Sequence, residues 1–398
     1  MCREVREKRV RPLWLMFSIA YVAYCSIYSA RLNFSVASTL FEANCVLNKG
    51  QIGVIGSVFA FCYATAKIPN GYLGDRLSSR FVIVMGLVIT GFSNLLIGFF
   101  HNFNCIAVLW GFNAFGQSML WGPMLRSFSE NYEGKTYRLT AQYLVSAVAV
   151  GSIAGLVLAS ICSRNNDLSA CFVIPGLFSL VMAMVVQLFF LDSPGKKQES
   201  IALGKAIGAI VHKSEFRQIM FPAMAHGMIK DNINVWLALY FVDCYQTEIS
   251  GIAGFIYIVP LFALAGRFLY PVFYRLVKND YRVTALAFAL ATAANILLAM
   301  GKLNMAGAVL CLGADSALVS VINTFMLSQF PSVIADDTLS FAASIMDLVT
   351  YGGAGMGSVL FGFLIGKYGF QAMFFIWTAV SLVSSVIMYL VRKEEEVE

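Results

Sequence analysis

Four cations stand inside stretches that are otherwise apolar: Arg31, Lys67, Lys230 and Arg267. An ionisable side chain in mid-membrane costs roughly 2.5 to 3.5 kcal/mol on insertion scales, so it normally faces a cavity or a partner. The first three have companions suited to anion recognition. Tyr21, Tyr24, Tyr28, Arg31 and Ser35 fall within an arc of roughly 80° at helical spacing, one polar and aromatic stripe. Tyr63 and Lys67 share a face with Gly56, Ala60 and Asn70, while His226 and Asn234 bracket Lys230 at four-residue steps. Arginine supplies a planar fork for phosphate oxygens and lysine a point charge. Three such cations converging in low dielectric form a pocket for a small, multiply charged anion such as a phosphate monoester. The competing arrangement is internal salt bridging, because Asp231, Asp315 and Asp347 also lie in apolar stretches.

Those carboxylates have a second use, since intramembrane acids often relay protons. Asp315 and Asp347 are candidates for proton coupling or for pairing with a lysine. A lone helical histidine such as His226 is more often a hydrogen-bonded packing residue than a carrier. Asn113 and Gln117, four apart, either line the cavity or bond between helices. Gly352, Gly353, Gly355 and Gly357 fit close helix packing better than a phosphate loop. The histidines His101, His212 and His226 are scattered, which predicts no metal site, and no nucleophile has a plausible base. Neither an enzyme nor a cofactor is expected. Cys162 and Cys171 flank one loop and could pair in an oxidising exterior.

The elements that must position these side chains follow from hydropathy. Of 398 residues 59% are hydrophobic and 13% charged, about half the charged share of a soluble domain. The mean hydropathy of +0.74 is spread along the whole chain, so lipid must be its main solvent. A window of roughly 20 apolar residues per helix gives twelve spans, near 13–38, 51–74, 81–100, 104–127, 138–162, 170–191, 217–242, 251–273, 282–300, 304–328, 340–365 and 370–391. Continuous runs such as Phe81 to Phe100 are too long for the alternating strands of a membrane barrel. The first span is too long for a secretory signal and contains Arg31, so it is kept as a helix.

Lys and Arg in short loops are retained on the cytoplasmic side. With the N-terminus inside, 20 of the 28 cations are cytoplasmic, and only Lys49, Arg164, Lys302 and Lys367 fall outside. Both termini are therefore expected in the cytoplasm of a multi-pass plasma-membrane protein (the inner membrane in a Gram-negative cell). The net charge of +6 reflects topology, and nucleic acid is excluded as a partner.

The longest polar break, 192–216, is a cytoplasmic linker between a first bundle at 13–191 and a second at 217–391, with 1–12 and 392–398 as cytoplasmic ends. Sliding one half over the other by 199 residues puts Arg31 on Lys230, Asn33 on Asn232, and Arg76-Leu77 on Arg275-Leu276. Such internal repeats are how many secondary transporters build a midplane site between halves.

The loop Gly71-Tyr72-Leu73-Gly74-Asp75-Arg76-Leu77-Ser78-Ser79-Arg80 resembles the loop motif of the major facilitator superfamily. The resemblance implies that Gly71 permits close helix packing and that Asp75 and Arg76 form a charge relay, with Arg80 and Arg126 in the same conformational gate. Within that superfamily the chain is similar to the organophosphate:phosphate antiporters. Tyr24 to Phe34 matches their run of tyrosines before Arg-x-Asn-Phe, and Lys67 stands eight residues before Asp75. Gln117, Trp121, Pro123 and Arg126 keep their Gln-x-x-x-Trp-x-Pro-x-x-Arg spacing, and Lys230 stands where they often have arginine. The stretch Tyr143 to Gly151 lacks their histidine block, which marks a divergent member.

The expectation is thus an all-α polytopic membrane protein of twelve transmembrane helices in two pseudo-symmetric six-helix bundles, a monomer working by alternating access. The resemblance implies a small anionic substrate held by Arg31, Lys67, Lys230, Tyr24, Tyr28, Tyr63 and Gln117, with inorganic phosphate as the exchanged species. Asp231, Asp315, Asp347 and His226 are assigned to charge pairing or proton coupling. Alternatives are a proton-coupled carrier for an organic anion without phosphate or an amphipathic compound, and a membrane ligand sensor on the same fold.

Overall fold

The computed structural model describes residues 13–132, 134–192, 210–330 and 339–391. All regular structure among them is helical. The first half holds α1 (Leu13–Ala43), α2 (Lys49–Arg76), α3 (Ser79–Ile97), α4 (Phe103–Ser118), α5 (Trp121–Asn131), α6 (Gly134–Arg164) and α7 (Ala170–Phe189). The second holds α8 (Ser214–Tyr245), α9 (Ile249–Ile256), α10 (Ile258–Val277), α11 (Asp280–Ala299), α12 (Met305–Thr324) with a π turn at Phe325–Gln329, α13 (Leu339–Tyr368) and α14 (Phe370–Leu390).

Ten helices among the described residues are long and apolar enough to cross a membrane. The other two expected spans are α8, whose hydropathy is lowered by Lys230 and Asp231, and the broken pair α4–α5. The break has a cause in the sequence. Pro123 lacks an N–H, and its ring clashes with the carbonyl four residues back, which is that of Met119, where α4 gives way to α5. Pro260 acts in the same way on the junction of α9 and α10 at Tyr257. Helix starts carry local signals too: Asn48 and Gln51 form a capping box on α2, and Ser78, Asn102, Asn279 and Asn304 cap α3, α4, α11 and α12.

Large apolar side chains such as Phe99, Phe268, Phe363 and Leu276 point outward, as lipid-facing residues should. With lipid outside, helices associate by close packing and buried polar contacts rather than by escaping water. Both devices are present. In the second half a Cβ on Gly227 would lie 1.7 Å from the Thr350 carbonyl oxygen, so α8 and α13 touch backbone to backbone. Within the first half, Asn33 Nδ2 donates to Asn94 Oδ1 at 3.0 Å, Gln117 Nε2 to Asn113 Oδ1 at 3.1 Å, and Asn113 Nδ2 to the Ala30 carbonyl at 3.0 Å. These bonds lock α1 against α3 and α4 at the residue preceding Arg31. The repeat mate of Asn33 does the same work: Asn232 Nδ2 donates to the Ala354 carbonyl at 3.1 Å, and Trp236 Nε1 donates to Asn232 Oδ1 at 3.2 Å.

The two sets of helices meet along α1 with α8, α2 with α13, and α6 with α9 and α10. The α1–α2 turn lies at one end of the molecule, called the Lys49 end here, and the α2–α3 loop at the opposite, Arg76 end.

Candidate functional site: cations gathered around Tyr351

At mid-height the guanidinium of Arg31 on α1 donates to Asp231 Oδ1 on α8 at 3.1 Å, and the Lys230 ammonium stands 3.6 Å from the other oxygen of the same carboxylate. Lys67 on α2 forms an ion pair with Asp347 on α13. All three cations surround one ring, that of Tyr351: Arg31 Cζ is 5.9 Å from its centroid, Lys67 Nζ 5.7 Å and Lys230 Nζ 4.8 Å. Phe59 and Tyr63 complete the aromatic wall, with Arg31 Cζ 4.6 Å and 5.4 Å from their centroids. An aromatic face within about 6 Å of a cation is attractive through its quadrupole, so the wall favours the gathered cations without neutralising them.

The sequence-predicted residues divide into three groups. Arg31, Lys67, Lys230, Asp231, Asp347, Tyr28 and Tyr63 are brought together, and Tyr24 packs beside them, its ring 5.4 Å from that of Tyr28 and 5.3 Å from that of Trp121. Four others are placed elsewhere. Gln117 is buried in the asparagine network behind α1, Asn70 turns from the shared face to bond Ser118 and the Phe115 carbonyl, and His226 is fully buried with Nε2 3.1 Å from Asn323 Oδ1. Asp315 is buried between α11 and α12, accepts from Asn295 Nδ2 at 3.4 Å, and has no ion pair among the described residues.

The gate residues form the third group. Arg126 reaches from α5 to the Gly74 carbonyl and, at 2.8 Å, to that of Leu77. Arg80 and Ser78 both engage Asp192, at 3.5 and 2.5 Å. A Cβ on Gly71 would meet nothing within 4 Å, whereas one on Gly74 would lie 3.2 Å from Pro123. Close packing at this loop therefore rests on Gly74. Arg76 is exposed, and the Asp75 side chain lies outside the described residues. Cys162 and Cys171 are free thiols here.

Tyr351, Phe59 and Asp192 were not singled out by sequence reasoning. Tyr351 follows Asp347 by one helical turn and Phe59 precedes Tyr63 by one, so each continues a face already marked by a charged or polar residue. A cavity opens against this cluster, lined by Arg31, Phe59, Trp110, Asp231, Asn234 and Tyr351 among others, with about 40 Å³ of room for the centres of water-sized molecules. Since one water needs roughly 10–15 Å³ on this measure, the space fits a few waters.

A polytopic all-helical membrane protein whose two bundles meet at a central charged site has the architecture of a secondary carrier. The family model described as Major Facilitator Superfamily matches residues 14–343, and the chain belongs to that superfamily. It is similar to a protein named as a probable hexose phosphate transport protein from Chlamydia pneumoniae, 29% identical over 188 residues, 47% of this chain and 40% of that one. It is also similar to the membrane sensor protein UhpC of Escherichia coli K12, 35% identical over 102 residues, 26% of this chain and 23% of that one. The chain thus aligns with less than half the length of these relatives. Among solved structures, the nucleoside transporter NupG superposes with a TM-score of 0.76 at 14% identity, covering 95% of this chain and 99% of that one. The fold class is the one the sequence predicts, and these relatives carry the resemblance to the organophosphate:phosphate antiporters.

Proposed function

We propose that this protein is a secondary active transporter working by alternating access, and that it exchanges a small organic phosphate ester, such as a sugar phosphate or glycerol phosphate, for inorganic phosphate. The observation that carries this reading is the Asp231 carboxylate held between Arg31 of one half and Lys230 of the other. An anion already occupies the place between the two cations, and it belongs to the protein. A phosphate monoester carries about −1.5 to −2 charge at pH 7 and three acceptor oxygens, so it can take both cations in place of a single carboxylate. Displacing Asp231 is then the event that lets the halves rearrange around substrate. Without substrate the internal pair re-forms, which keeps the empty carrier from cycling and favours exchange over leak. The cavity in this state is too small for a sugar phosphate, so loading requires the halves to part.

The same reading places both termini in the cytoplasm of the plasma membrane and makes the functional unit a monomer. The decisive experiment is counterflow in vesicles with Arg31→Gln beside the wild type. Uptake of a radiolabelled hexose phosphate stimulated by internal phosphate, and lost by at least about a hundredfold in the variant, is expected from removing a bidentate charged contact worth ~3 kcal/mol. Uptake driven by a pH gradient alone would replace exchange with proton coupling. The similarity to a protein named as a membrane sensor favours one second reading, ligand sensing on this fold, which predicts measurable hexose phosphate binding with no counterflow.

A further inference from the structure

The cavity beside the cations has a wall that the charged cluster does not use. Ser35 and Ser358, one from each half, line it, and each is 2% exposed. Neither hydroxyl has a hydrogen-bond partner among the described residues. Many buried hydroxyls in these helices donate back to a carbonyl four residues earlier, as Ser29 does to Cys25, Ser160 to Leu156 and Thr350 to Met346. Of the buried hydroxyls left without any partner among the described residues, Ser35 and Ser358 are the two at the cavity. A buried hydroxyl that stays unpaired is costly, and alanine in its place would avoid the cost. The opposite half leaves room for Ser358, since a Cβ on Gly56 of α2 would lie 2.3 Å from its Oγ.

Both hydroxyls stand on one side of the charges. Ser35 follows Arg31 by one turn of α1, Ser358 follows Tyr351 by two turns of α13, and Asn234, also at the cavity, follows Lys230 by one turn of α8. Each helix runs from there toward the Lys49 end, since Lys49 pairs with Glu42 and Asp243, and Gly53 meets Gly362. At about 1.5 Å per residue, these polar groups are displaced from the cation cluster by roughly 6 to 10 Å. Phe34, Phe59 and Trp110 lie against the same space, with the ring centroid of Trp110 4.9 Å from that of Phe34 and 5.5 Å from that of Phe59. Charge at one end is followed by hydroxyl and amide groups beside an aromatic wall. Ligand pockets combine an apolar lining with a few placed polar groups in this way. Such a wall suits a carbon chain or ring that carries hydroxyls, whose C–H faces pack on the rings while its oxygens pair with side chains.

We infer that Ser35 and Ser358 read the organic group of the substrate, which binds with its phosphate at Arg31 and Lys230 and its hydroxyl-bearing part toward the Lys49 end. A serine hydroxyl both donates and accepts, so each can pair with a substrate hydroxyl in either role. In the present conformation the two are buried and unpaired, and a polyol phosphate that enters as the halves part answers both. This rests on the anion-transport reading above and narrows it to polyhydroxylated phosphate monoesters. An ester of the same shape without hydroxyls leaves both serines unpaired and is rejected for that reason.

Titration calorimetry on the purified full chain tests this with two pairs of probes, glycerol 3-phosphate against propyl phosphate and glucose 6-phosphate against cyclohexylmethyl phosphate. In at least one pair the wild type should bind the hydroxylated ester at least tenfold more tightly. Ser35→Ala and Ser358→Ala should each weaken that ester by about fivefold, and the double variant should bring the pair within twofold. Affinity for inorganic phosphate, which has no organic group to read, should change by less than twofold. Since neither hydroxyl has a protein partner, both variants should keep the Tm of the parent. A Tm lower by several degrees would show that the hydroxyls hold the fold and would overturn the assignment. So would a preference that survives in the double variant, or equal weakening of the ester and inorganic phosphate. A wild type that binds the two members of each pair equally, or inorganic phosphate alone, removes hydroxyl recognition and leaves anion transport standing. A wild type that binds neither the esters nor inorganic phosphate removes both.

Discussion

The halves are joined by different means on the two sides of the central site. At the Lys49 end the halves touch through backbone: a Cβ on Gly53 of α2 would lie 2.4 Å from the Ser358 carbonyl oxygen and 2.9 Å from Gly362 Cα, both on α13. Lys49 adds charge to that contact, pairing with Glu42 of its own half at 3.2 Å and with Asp243 of the other. Toward the Arg76 end the tie described between α2 and α13 is the ion pair of Lys67 with Asp347. At the loop itself the described hydrogen bonds of Arg126 stay within the first half, and those of Arg80 and Ser78 reach Asp192 at the start of the linker. A steric seam closes the Lys49 end, and beyond the central cluster the described tie between α2 and α13 is a charge pair. Between them lies a small cavity beside two cations that share one carboxylate.

The largest effect should come from the seam. Gly53→Val forces a branched side chain against backbone that cannot retreat, and overpacking of this kind costs ~1–3 kcal/mol. Directed at one conformer, that shifts the balance roughly 5- to 150-fold. Ser35 lines the cavity, so alkylation of Ser35→Cys in a cysteine-depleted background, with reagent added from the Lys49 side, reports the opening. A rate no faster than that of the parent would show that the seam is not what keeps this end shut.

Next comes the charge pair. Lys67 and Asp347 side chains are 24% and 10% exposed, buried enough that leaving either alone should lower stability by ~2 kcal/mol. Lys67→Met and Asp347→Asn should each depress Tm, and the double variant should be more stable than the sum of the singles predicts by ~1–2 kcal/mol. Strict additivity would mean the two groups do not hold the halves.

What could be foreseen from sequence divides along the same line. Spans and breaks are local, written in about 20 consecutive residues or in a proline such as Pro123, though its cost to the fourth span is visible only once the carbonyl of Met119 is considered. The cations were legible because charge in lipid is anomalous wherever it falls. Which acid meets which cation was not, since Arg31 and Asp231 are 200 residues apart and only the packing of α1 on α8 joins them. Tyr351 escaped notice because an aromatic residue in an apolar helix is unremarkable until three cations surround it. Gln117 misled for the opposite reason: a polar residue in a span signals burial against a partner as readily as a cavity, and the partner here was Asn113.

A smaller effect is expected at the Lys49 end from charge alone. Lys49 and Asp243 are 21% and 29% exposed, in the range where an ion pair contributes ~0.2–1 kcal/mol. Asp243→Asn should therefore speed alkylation of Ser35→Cys by no more than about fivefold, and high salt should reduce the difference, as it does for partly exposed pairs. An effect as large as that of Gly53→Val would reverse the assignment of seam and charge at this end.

The smallest effect falls on the Arg76 loop. A Cβ at Gly71 meets nothing, so Gly71→Ala should leave stability within about 0.5 kcal/mol, with the helical preference of alanine acting in its favour. Gly74→Ala should cost more, because its Cβ would press on Pro123 at 3.2 Å. Counterflow separates two meanings of the open space beside Gly71. If Gly71→Ala transports as the parent does, that space is never filled and the Arg76 end closes elsewhere. If it folds normally but slows exchange by tenfold or more, another helix must come against Gly71 in the opposite conformation. The loop would then be the counterpart of the Gly53 seam, shut when the Lys49 end is open.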